Sequence, residues 1–196
     1  MTFESGIEVS HMSDVTAVIA SPRKNGNCVS IVNKMVETLE SEGKKVDVFY
    51  LNQLENVKGC QACMGCKKAG HCVRNDGLTP VLNSIAESGS VIIATPDYFG
   101  QAVSQYRMLE DRFYGYVGMG PNGFVCNIPE GKKVAIVVTS GSGAGAENIT
   151  ATIKNVLGGF LKCDVVGDID YREGANGPAK DNAAVMDEAV ALAKKL

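Results

Sequence analysis

Short apolar runs alternate along the chain with stretches in which apolar residues recur every three or four positions. The runs are rich in β-branched and aromatic residues, which is typical of strands buried in a sheet. They lie at residues 15–20 (VTAVIA), 46–51 (VDVFYL), 91–95 (VIIAT), 133–139 (KVAIVVT) and 164–169 (DVVGDI). We therefore predict five strands in this order along the chain.

Helical spacing fills the stretches around these runs. After the first strand, Val29, Val32, Val36 and Leu39 recur on one face of a helix. Further helices are predicted at residues 78–88, 101–116 and 147–161 and in the tail from residue 178. Two stretches, 52–77 and 117–131, are too long for plain connections, and long loops in a compact domain are often functional.

Strands that alternate with helices predict a parallel sheet with right-handed crossovers. Five strands fit the flavodoxin-like order 2-1-3-4-5 better than a six-stranded dinucleotide-binding fold. The predicted fold class is therefore α/β, a doubly wound parallel sheet with helices on both faces. We predict a single domain over residues 13–196 with a cysteine-rich loop at 56–77, preceded by a tag remnant or disordered segment at 1–12.

Composition narrows the classes of function. The formal net charge is −3 and no basic stripe is present, so nucleic acid is not an expected partner. No apolar run reaches the roughly 18 to 20 residues of a membrane span, and no signal peptide is evident, so we expect a cytoplasmic protein with no membrane partner. With two histidines and no tryptophan, general acid–base chemistry has few groups to use, which favours the chemistry of a bound cofactor.

Ligands of open parallel sheets bind beyond the carboxyl ends of the strands, where the strand order reverses. In the predicted order, the loop after the first strand lies there, and its sequence is SPRKNGNC at 21–28. Because this loop opens a helix, its backbone N–H groups and the helix dipole favour an anion, and Arg23 offers a charged fork to a phosphate. An ordinary turn capped by an asparagine is the alternative, but it does not need serine, arginine, glycine and asparagine together.

Two more loops meet at the same edge of the predicted sheet. Residues 96–100 (PDYFG) place two aromatic side chains at the end of the third strand, where they would flank a planar ring or simply cover the core. Residues 139–147 (TSGSGAGAE) are small, and they allow either a close approach of backbone to a ligand or a flexible loop. The three loops converge, which favours a cofactor site over three unrelated turns. Neither a G-x-G-x-x-G nor a Walker A pattern is present.

Four of the seven cysteines lie in the motif Cys60-x2-Cys63-x2-Cys66-x5-Cys72. This clustering is not typical of a secreted disulfide framework. It suits an iron–sulfur cluster whose irons each take one thiolate. A zinc site usually draws on two pairs from separated turns and fits less well. Redox-active or free thiols without a metal remain a further alternative, and His71 would be an alternative ligand if one cysteine is not used.

These motifs resemble the NADPH-dependent FMN reductase superfamily, and within it the iron–sulfur flavoproteins of anaerobes and archaea. The resemblance covers nearly the whole chain after Ser13. It is carried by SPRKNGNC at 21–28, the cysteine spacing at 60–72, PDYFGQAVSQ at 96–105 with EDR at 110–112, and TSGSGAGAE at 139–147. One departure is Asp97, which stands where an apolar residue is usual in the family.

The resemblance implies that the first loop holds the phosphate of FMN, the second lies along the isoalloxazine and ribityl, and the third lies at the far side of the ring. The candidate cofactor-binding residues are Ser21, Arg23, Asn25, Asn27, Cys28, Pro96, Tyr98, Phe99, Gly100, Thr139, Ser140 and Gly141. The resemblance also implies that Cys60, Cys63, Cys66 and Cys72 ligate a [4Fe-4S] cluster near the interface of a homodimer or homotetramer.

The favoured hypothesis is an iron–sulfur flavoprotein. It would pass electrons from a low-potential donor such as ferredoxin through the cluster to FMN, and on to a small acceptor such as a quinone, oxygen or a peroxide. One alternative is an NAD(P)H-dependent reductase of FMN, quinones, azo or nitro compounds without a cluster. Another is a redox sensor, not an enzyme, in which the cysteines form a reversible disulfide or hold zinc.

Overall fold

The computed structural model of the chain describes residues 13–121, 123–141 and 145–196, so the predicted N-terminal segment at 1–12 lies outside the described residues. The strands are β1 (Val15–Ile19), β2 (Val46–Tyr50), β3 (Ser90–Tyr98), β4 (Gln101–Ala102), β5 (Val117–Gly120), β6 (Gly123–Cys126), β7 (Lys133–Ser140) and β8 (Asp164–Arg172). The helices are α1 (Asn27–Ser41), α2 (Cys66–Ala69), α3 (Thr79–Glu87), α4 (Ser104–Arg112), α5 (Ala146–Lys154), α6 (Glu173–Asn176) and α7 (Ala183–Ala193).

The central sheet runs in the order β2-β1-β3-β7-β8, and neighbouring strands on this path are parallel. This order confirms the predicted flavodoxin-like arrangement. Strand β1 is buried along its whole length because both faces of the sheet are covered. The short strand β4 pairs antiparallel with the end of β3, off this path.

Two layers of helices cover the sheet. Helices α1 and α7 pack on one face, and α3, α4 and α5 pack on the other. The apolar stripe predicted for α1 is confirmed, since Val29, Val32, Val36 and Leu39 are all buried. Burial of each such side chain stabilises the fold by roughly 1.5–3 kcal/mol. Within the described ranges, no helix is long and apolar enough to cross a bilayer.

The structure differs from the sequence prediction in the region after β3. The predicted helix at 101–116 begins only at Ser104, because the chain reverses at Phe99 and Gly100 and residues 101–102 then pair with β3. The predicted loop at 117–131 contains a hairpin of β5 and β6. Its segments are short and rich in glycine, so the alternation of apolar and polar residues that marks a strand is weak there.

A buried arginine anchors the cysteine loop, residues 56–77, to the end of α4. The side chain of Arg112 is 0% exposed. Its Nη1 donates to the carbonyl of Lys58 at 3.0 Å and to a carboxylate oxygen of Asp76 at 2.8 Å, and its Nη2 donates to the carbonyl of Arg74 at 3.5 Å. Because these acceptors lie near both ends of the loop, one side chain holds the whole segment closed.

The acidic partner in this contact is held as a carboxylate. Burial by itself raises the pKa of Asp76, but hydrogen bonds from Arg112 and from the backbone N–H of Leu78 outweigh it, and the pKa lies below its ordinary value. Removing one partner from a buried ion pair costs about 3–5 kcal/mol, because the other charge is left buried without compensation. The Arg112–Asp76 pair is therefore a structural requirement of the loop.

We expect Asp76→Asn to lower the free energy of unfolding at about pH 7 by up to roughly 3–5 kcal/mol. The asparagine oxygen can still accept from Leu78, but the charge facing Arg112 is gone. Since the pKa of Asp76 is lowered by folding, its contribution is complete above the unfolded pKa of about 3.9 and is lost as the pH falls through the folded pKa. Urea unfolding near pH 7 and near pH 3 would show the difference shrinking in acid.

The control is Glu37→Gln, which removes the exposed Lys34–Glu37 pair, 3.5 Å apart. Exposed pairs contribute little, so this variant should match the wild-type protein at both pH values. A loss of stability in Asp76→Asn that is the same near pH 7 and near pH 3 would contradict the assignment of that stability to the charge.

Candidate functional site

A cleft of about 220 Å³ opens at the carboxyl ends of β1, β3 and β7, and all three predicted loops contribute to it. It is lined by Ser21, Arg23, Gly26, Asn27, Pro96, Asp97, Tyr98, Thr139, Ser140, Gly141 and Glu173. The parallel sheet creates this convergence, because strands that run in the same direction end at the same edge.

The first loop brings an uncapped helix N-terminus to the cleft. Gly26 is the N-cap of α1, no side chain caps this end, and the first turn has no acidic residue. Nearby, Arg23 is exposed, and among the described residues no carboxylate pairs with it. A helix N-terminus beside an unpaired guanidinium is a favourable environment for a phosphate.

The second loop is shaped by Asp97. Its Oδ1 accepts from the backbone N–H of Gly100 at 2.7 Å, and Phe99 and Gly100 have φ values of 57° and 73°. The backbone N–H of Gly100, a candidate cofactor-binding residue, is thus used within the turn. Phe99 is fully exposed and does not line the cleft, whereas the half-exposed Tyr98 does.

The end of the glycine-rich loop packs closely on this turn. Gly145 has a φ of 135°, and a Cβ atom there would lie 3.0 Å from Cα of Gly100 and 3.2 Å from Oδ2 of Asp97. A side chain at this position would therefore displace the second loop. Residues 142–144 of the predicted loop lie outside the described residues.

The third loop offers an unsatisfied hydroxyl. Ser140 lines the cleft and is buried, and within the described ranges its Oγ has no hydrogen-bond partner. A buried polar group without a partner costs about 1–3 kcal/mol, so such a group in a cleft indicates a ligand that supplies the missing bond. Gly141 lies beside it, and its carbonyl accepts from Gly174 at 2.6 Å, which ties the loop to α6.

Several predicted residues lie away from the cleft surface. The Cys28 thiol is buried and shares a hydrogen bond with the Thr139 hydroxyl at 3.1 Å, and burial raises its pKa to about 12. Cys28 can therefore contribute to a phosphate site only through its backbone N–H, which lies in the first turn of α1. Asn25 is exposed outside the cleft lining. Asn27 does line the cleft, but its amide oxygen accepts from the backbone N–H of Ala179 at 2.9 Å.

Gly26, Asp97 and Glu173 line the cleft, although the sequence motifs predicted neither Gly26 nor Glu173 as a site residue and marked Asp97 only as a departure from the family. Gly26 lies inside the predicted phosphate loop, so its position was a usable signal. Glu173 follows β8, and the segment after that strand carries no motif that would have singled it out. The carboxylates of Asp97 and Glu173 add negative charge to the cleft.

Taken together, the cleft residues fit a phosphate-bearing flavin. The N-terminus of α1 and Arg23 suit the phosphate, the Ser140 hydroxyl lacks a partner, and Tyr98 supplies an aromatic surface. This fit depends on features of the cleft itself, namely an open helix end and an orphaned buried hydroxyl.

A second cavity, of about 260 Å³, collects the four clustered cysteines. Its lining includes Cys60, Cys63, Cys66, Cys72, Arg74, Arg112, Tyr114 and Gly115. Cys60 and Cys63 are exposed, and Cys66 and Cys72 are half-buried. His71 is exposed and does not line the cavity, although it is adjacent in sequence to Cys72.

The spacing of these cysteines does not suit a single metal ion. In the part of the chain that the structure describes, no three cysteine, histidine or acidic side chains are grouped closely enough to hold one ion. Sulfurs on one zinc lie within roughly 4.6 Å of each other, twice a Zn–S bond. A cubane cluster binds each thiolate through a different iron, so its ligands stand farther apart. The described side chains of this cavity are therefore not grouped around a single ion.

The backbone around the cysteines favours an anionic group. Ala62 and Met64 have φ values of 51° and 59°, and Gly65 follows in the right-handed helical region. Alternation of this kind forms a nest of N–H groups, which is a recurrent feature of phosphate and iron–sulfur sites. Among the described residues, the N–H groups of residues 60–65 have no protein acceptor, so they remain to be satisfied by solvent or by a bound group.

The family profile described as NADPH-dependent FMN reductase matches residues 13–173 of this chain. Over 185 residues the chain is 27% identical to the iron–sulfur flavoprotein of Methanosarcina thermophila, covering 93% of this chain and 92% of that protein. An iron–sulfur flavoprotein of Methanocaldococcus jannaschii is 31% identical over 98 residues, and here the alignment spans 50% of each protein.

Solved structures of low sequence identity share the fold. The azoreductase of Bacillus anthracis str. Sterne aligns with a TM-score of 0.70 and 18% identity, over 94% of this chain and 100% of that one. An FMN-dependent NADH-azoreductase from Bacillus anthracis str. Ames Ancestor, in complex with FMN, aligns with a TM-score of 0.69 and 11% identity, over 94% and 99%.

The fold, the cleft and the family profile agree, and the profile spans most of the described chain. The resemblance drawn from the loop motifs is thereby confirmed. The chain belongs to the NADPH-dependent FMN reductase family and is a flavin-dependent oxidoreductase.

Proposed function

We propose that this protein is an iron–sulfur flavoprotein, which takes electrons from a low-potential donor, passes them through a [4Fe-4S] cluster to FMN and delivers them to a small acceptor. The observation that carries the proposal is the convergence of Cys60, Cys63, Cys66 and Cys72 on one cavity, in a chain that also has a flavin cleft. The names of its relatives, which are iron–sulfur flavoproteins, support it.

The cleft residues would bind FMN through its phosphate and its ring. Arg23 and the first N–H groups of α1 would hold the phosphate. The Ser140 hydroxyl would form a hydrogen bond with the ligand, and Tyr98 would cover part of the ring. When bound, FMN supplies the redox chemistry, because it exchanges electrons singly or in pairs. The chain supplies binding, orientation and electrostatics.

The charge of the cleft supports a low-potential flavin. Asp97 lines the cleft, and among the described residues no cation forms an ion pair with it. Glu173 adds a second carboxylate. Negative charge beside a ring opposes the accumulation of further negative charge there, so these side chains disfavour reduction of the ring to an anion.

The surface around the cysteine cavity supports an acidic electron donor such as a ferredoxin. Lys58 and Lys68 are exposed on the cysteine loop. Lys67 is engaged with its own chain, since its Nζ donates to the carbonyls of Tyr114 and Val117 and lies 3.4 Å from the centre of the Tyr114 ring. The two free lysines give an acidic partner a positive surface, and such charges steer association.

An NAD(P)H-dependent reductase without a cluster is the second candidate, and the description of the matched family favours it. In that case hydride would come from nicotinamide, and the four cysteines would be free thiols. The two candidates differ in metal content and in the reductant that they accept.

Anaerobic purification followed by an absorption spectrum, with iron, sulfide and flavin assays on the same sample, separates them. We expect flavin bands on a broad background, with about four iron and four sulfide per chain. A clean flavin spectrum without iron, combined with rapid anaerobic reduction by NADPH, would favour the second candidate. Stoichiometric zinc without flavin would contradict both and favour a redox sensor.

We expect Arg23→Ala to weaken FMN binding by about tenfold to somewhat over a hundredfold, because a charge-assisted hydrogen bond contributes about 1.5–3 kcal/mol. Titration of the apoprotein with FMN, followed by flavin fluorescence, measures this change. Lys24→Ala is the matched control, since Lys24 is an exposed neighbour that does not line the cleft. An unchanged affinity in Arg23→Ala would show that the phosphate lies elsewhere.

We expect Cys63→Ala to lose the cluster and to keep wild-type affinity for FMN, because Cys63 lines the second cavity and not the cleft. Iron and sulfide per chain, measured beside the flavin content, give the result. Cys126→Ala is the control, since Cys126 is outside the cavity lining and should leave the iron content unchanged. Full iron content in Cys63→Ala would remove Cys63 from the ligand set.

A further inference from the structure

The four clustered cysteines differ in one contact. Nε of Arg112 donates to Sγ of Cys72 at 2.9 Å. Among the described residues, the sulfurs of Cys60, Cys63 and Cys66 have no such donor. The donor carries a full positive charge, since arginine does not lose its proton in proteins. One sulfur of the set is therefore distinguished from the other three by a charged hydrogen bond.

This contact is rigid on both sides. Nη1 of Arg112 is bound by Asp76 and Lys58, so the guanidinium cannot turn away from the sulfur without breaking those bonds. Cys72 is fixed by Gly115, where a Cβ atom would lie 2.7 Å from the backbone nitrogen of Cys72 and 3.1 Å from its Cα. The end of α4 and the turn after it thus hold Cys72 in place from two sides.

We propose that Arg112 is a positioning residue of the cysteine cavity, which holds the Cys72 sulfur as a cluster ligand and raises the reduction potential of the cluster. The inference rests on the proposed function, since it requires a cluster. Hydrogen bonds to the sulfurs and nearby charge are among the factors that set the potential of an iron–sulfur cluster. A charged hydrogen bond to the sulfur stabilises the reduced form, which carries one more negative charge. The effect acts through the direct contact with Cys72, because the Asp76 carboxylate offsets the charge of the guanidinium at longer range.

The step that Arg112 influences is the gain of one electron by the cluster from the low-potential donor. No bond forms or breaks at Arg112, and no proton leaves it. Its effect is on the equilibrium of that electron between donor and cluster. A purely structural role would change the amount of cluster or the stability of the fold, but not the potential of the clusters that remain.

Arg74 provides a matched comparison within the same cavity. Its side chain also lines the cavity and also pairs with Asp76, with Nε 3.4 Å from the carboxylate. It is 32% exposed, however, and among the described residues it makes no hydrogen bond to a sulfur. Removal of either arginine deletes one positive charge beside Asp76, but of the two variants only Arg112→Gln also removes the hydrogen-bond donor of the Cys72 sulfur.

The test is a potentiometric titration of the cluster, followed by electron paramagnetic resonance, in anaerobically purified wild-type protein, Arg112→Gln and Arg74→Gln. We expect the equilibrium constant for reduction of the cluster to be at least about tenfold lower in Arg112→Gln than in wild type. For one electron, this corresponds to a reduction potential that is lower by about 59 mV. Arg74→Gln should fall by a clearly smaller amount, because the Arg74 side chain is partly screened by solvent and is not bonded to Cys72. Equal potentials in wild type and Arg112→Gln, or an equal fall in both variants, would overturn the proposal.

If Arg112→Gln loses the cluster, its potential cannot be measured, and a second measurement on protein with Arg112 intact is needed. In wild-type protein labelled with ¹⁵N-arginine, pulsed electron paramagnetic resonance of the reduced cluster should detect a nitrogen coupling that persists in Arg74→Gln. Absence of that coupling would overturn the proposal. Wild-type protein without iron and sulfide would overturn the proposed function itself, and the metal analysis shows this before any variant is made.

Discussion

The buried ion pair of Arg112 and Asp76 is the contact on which the cysteine loop depends. A guanidinium that is 0% exposed must have its charge and its donors satisfied by the protein, and it finds acceptors at Lys58, Arg74 and Asp76. These acceptors lie near both ends of the loop. Because the buried guanidinium must keep its hydrogen bonds to all of them, it holds the two ends of the loop together in one conformation. The cavity that collects the cysteines follows from that arrangement.

The cleft at the sheet edge has a different physical origin. Parallel strands bring three loops together there, and each loop leaves groups that the protein does not satisfy: the N-terminus of α1, the unpaired Arg23 and the buried Ser140 hydroxyl among the described residues. The turn at Asp97, in contrast, satisfies its own backbone through the Gly100 N–H. The first and third loops of the cleft thus leave groups free to bind a ligand, whereas the backbone of the second loop is already bonded within its own turn.

One chain therefore combines two kinds of site. The cleft uses the strand order of the sheet, which this protein shares with structures of 18% identity or less, such as the azoreductases. The cysteine cavity uses the long connection between β2 and α3 and a charged side chain on α4. Because the cysteine cavity and the cleft share no lining residue, this connection can carry additional chemistry without altering the flavin cleft.

The sequence by itself determined the strand order, the apolar face of α1 and the loops that form the cleft, because burial imposes a period on each segment that can be recognised locally. The spacing of the cysteines likewise indicated their convergence. Only the tertiary structure decided that the Cys28 thiol is buried, that Phe99 is exposed, that residues 117–126 form a hairpin and that Arg112 reaches Cys72. Arg112 and Cys72 are forty positions apart, and contacts between distant segments depend on how the whole chain packs, which no local pattern records.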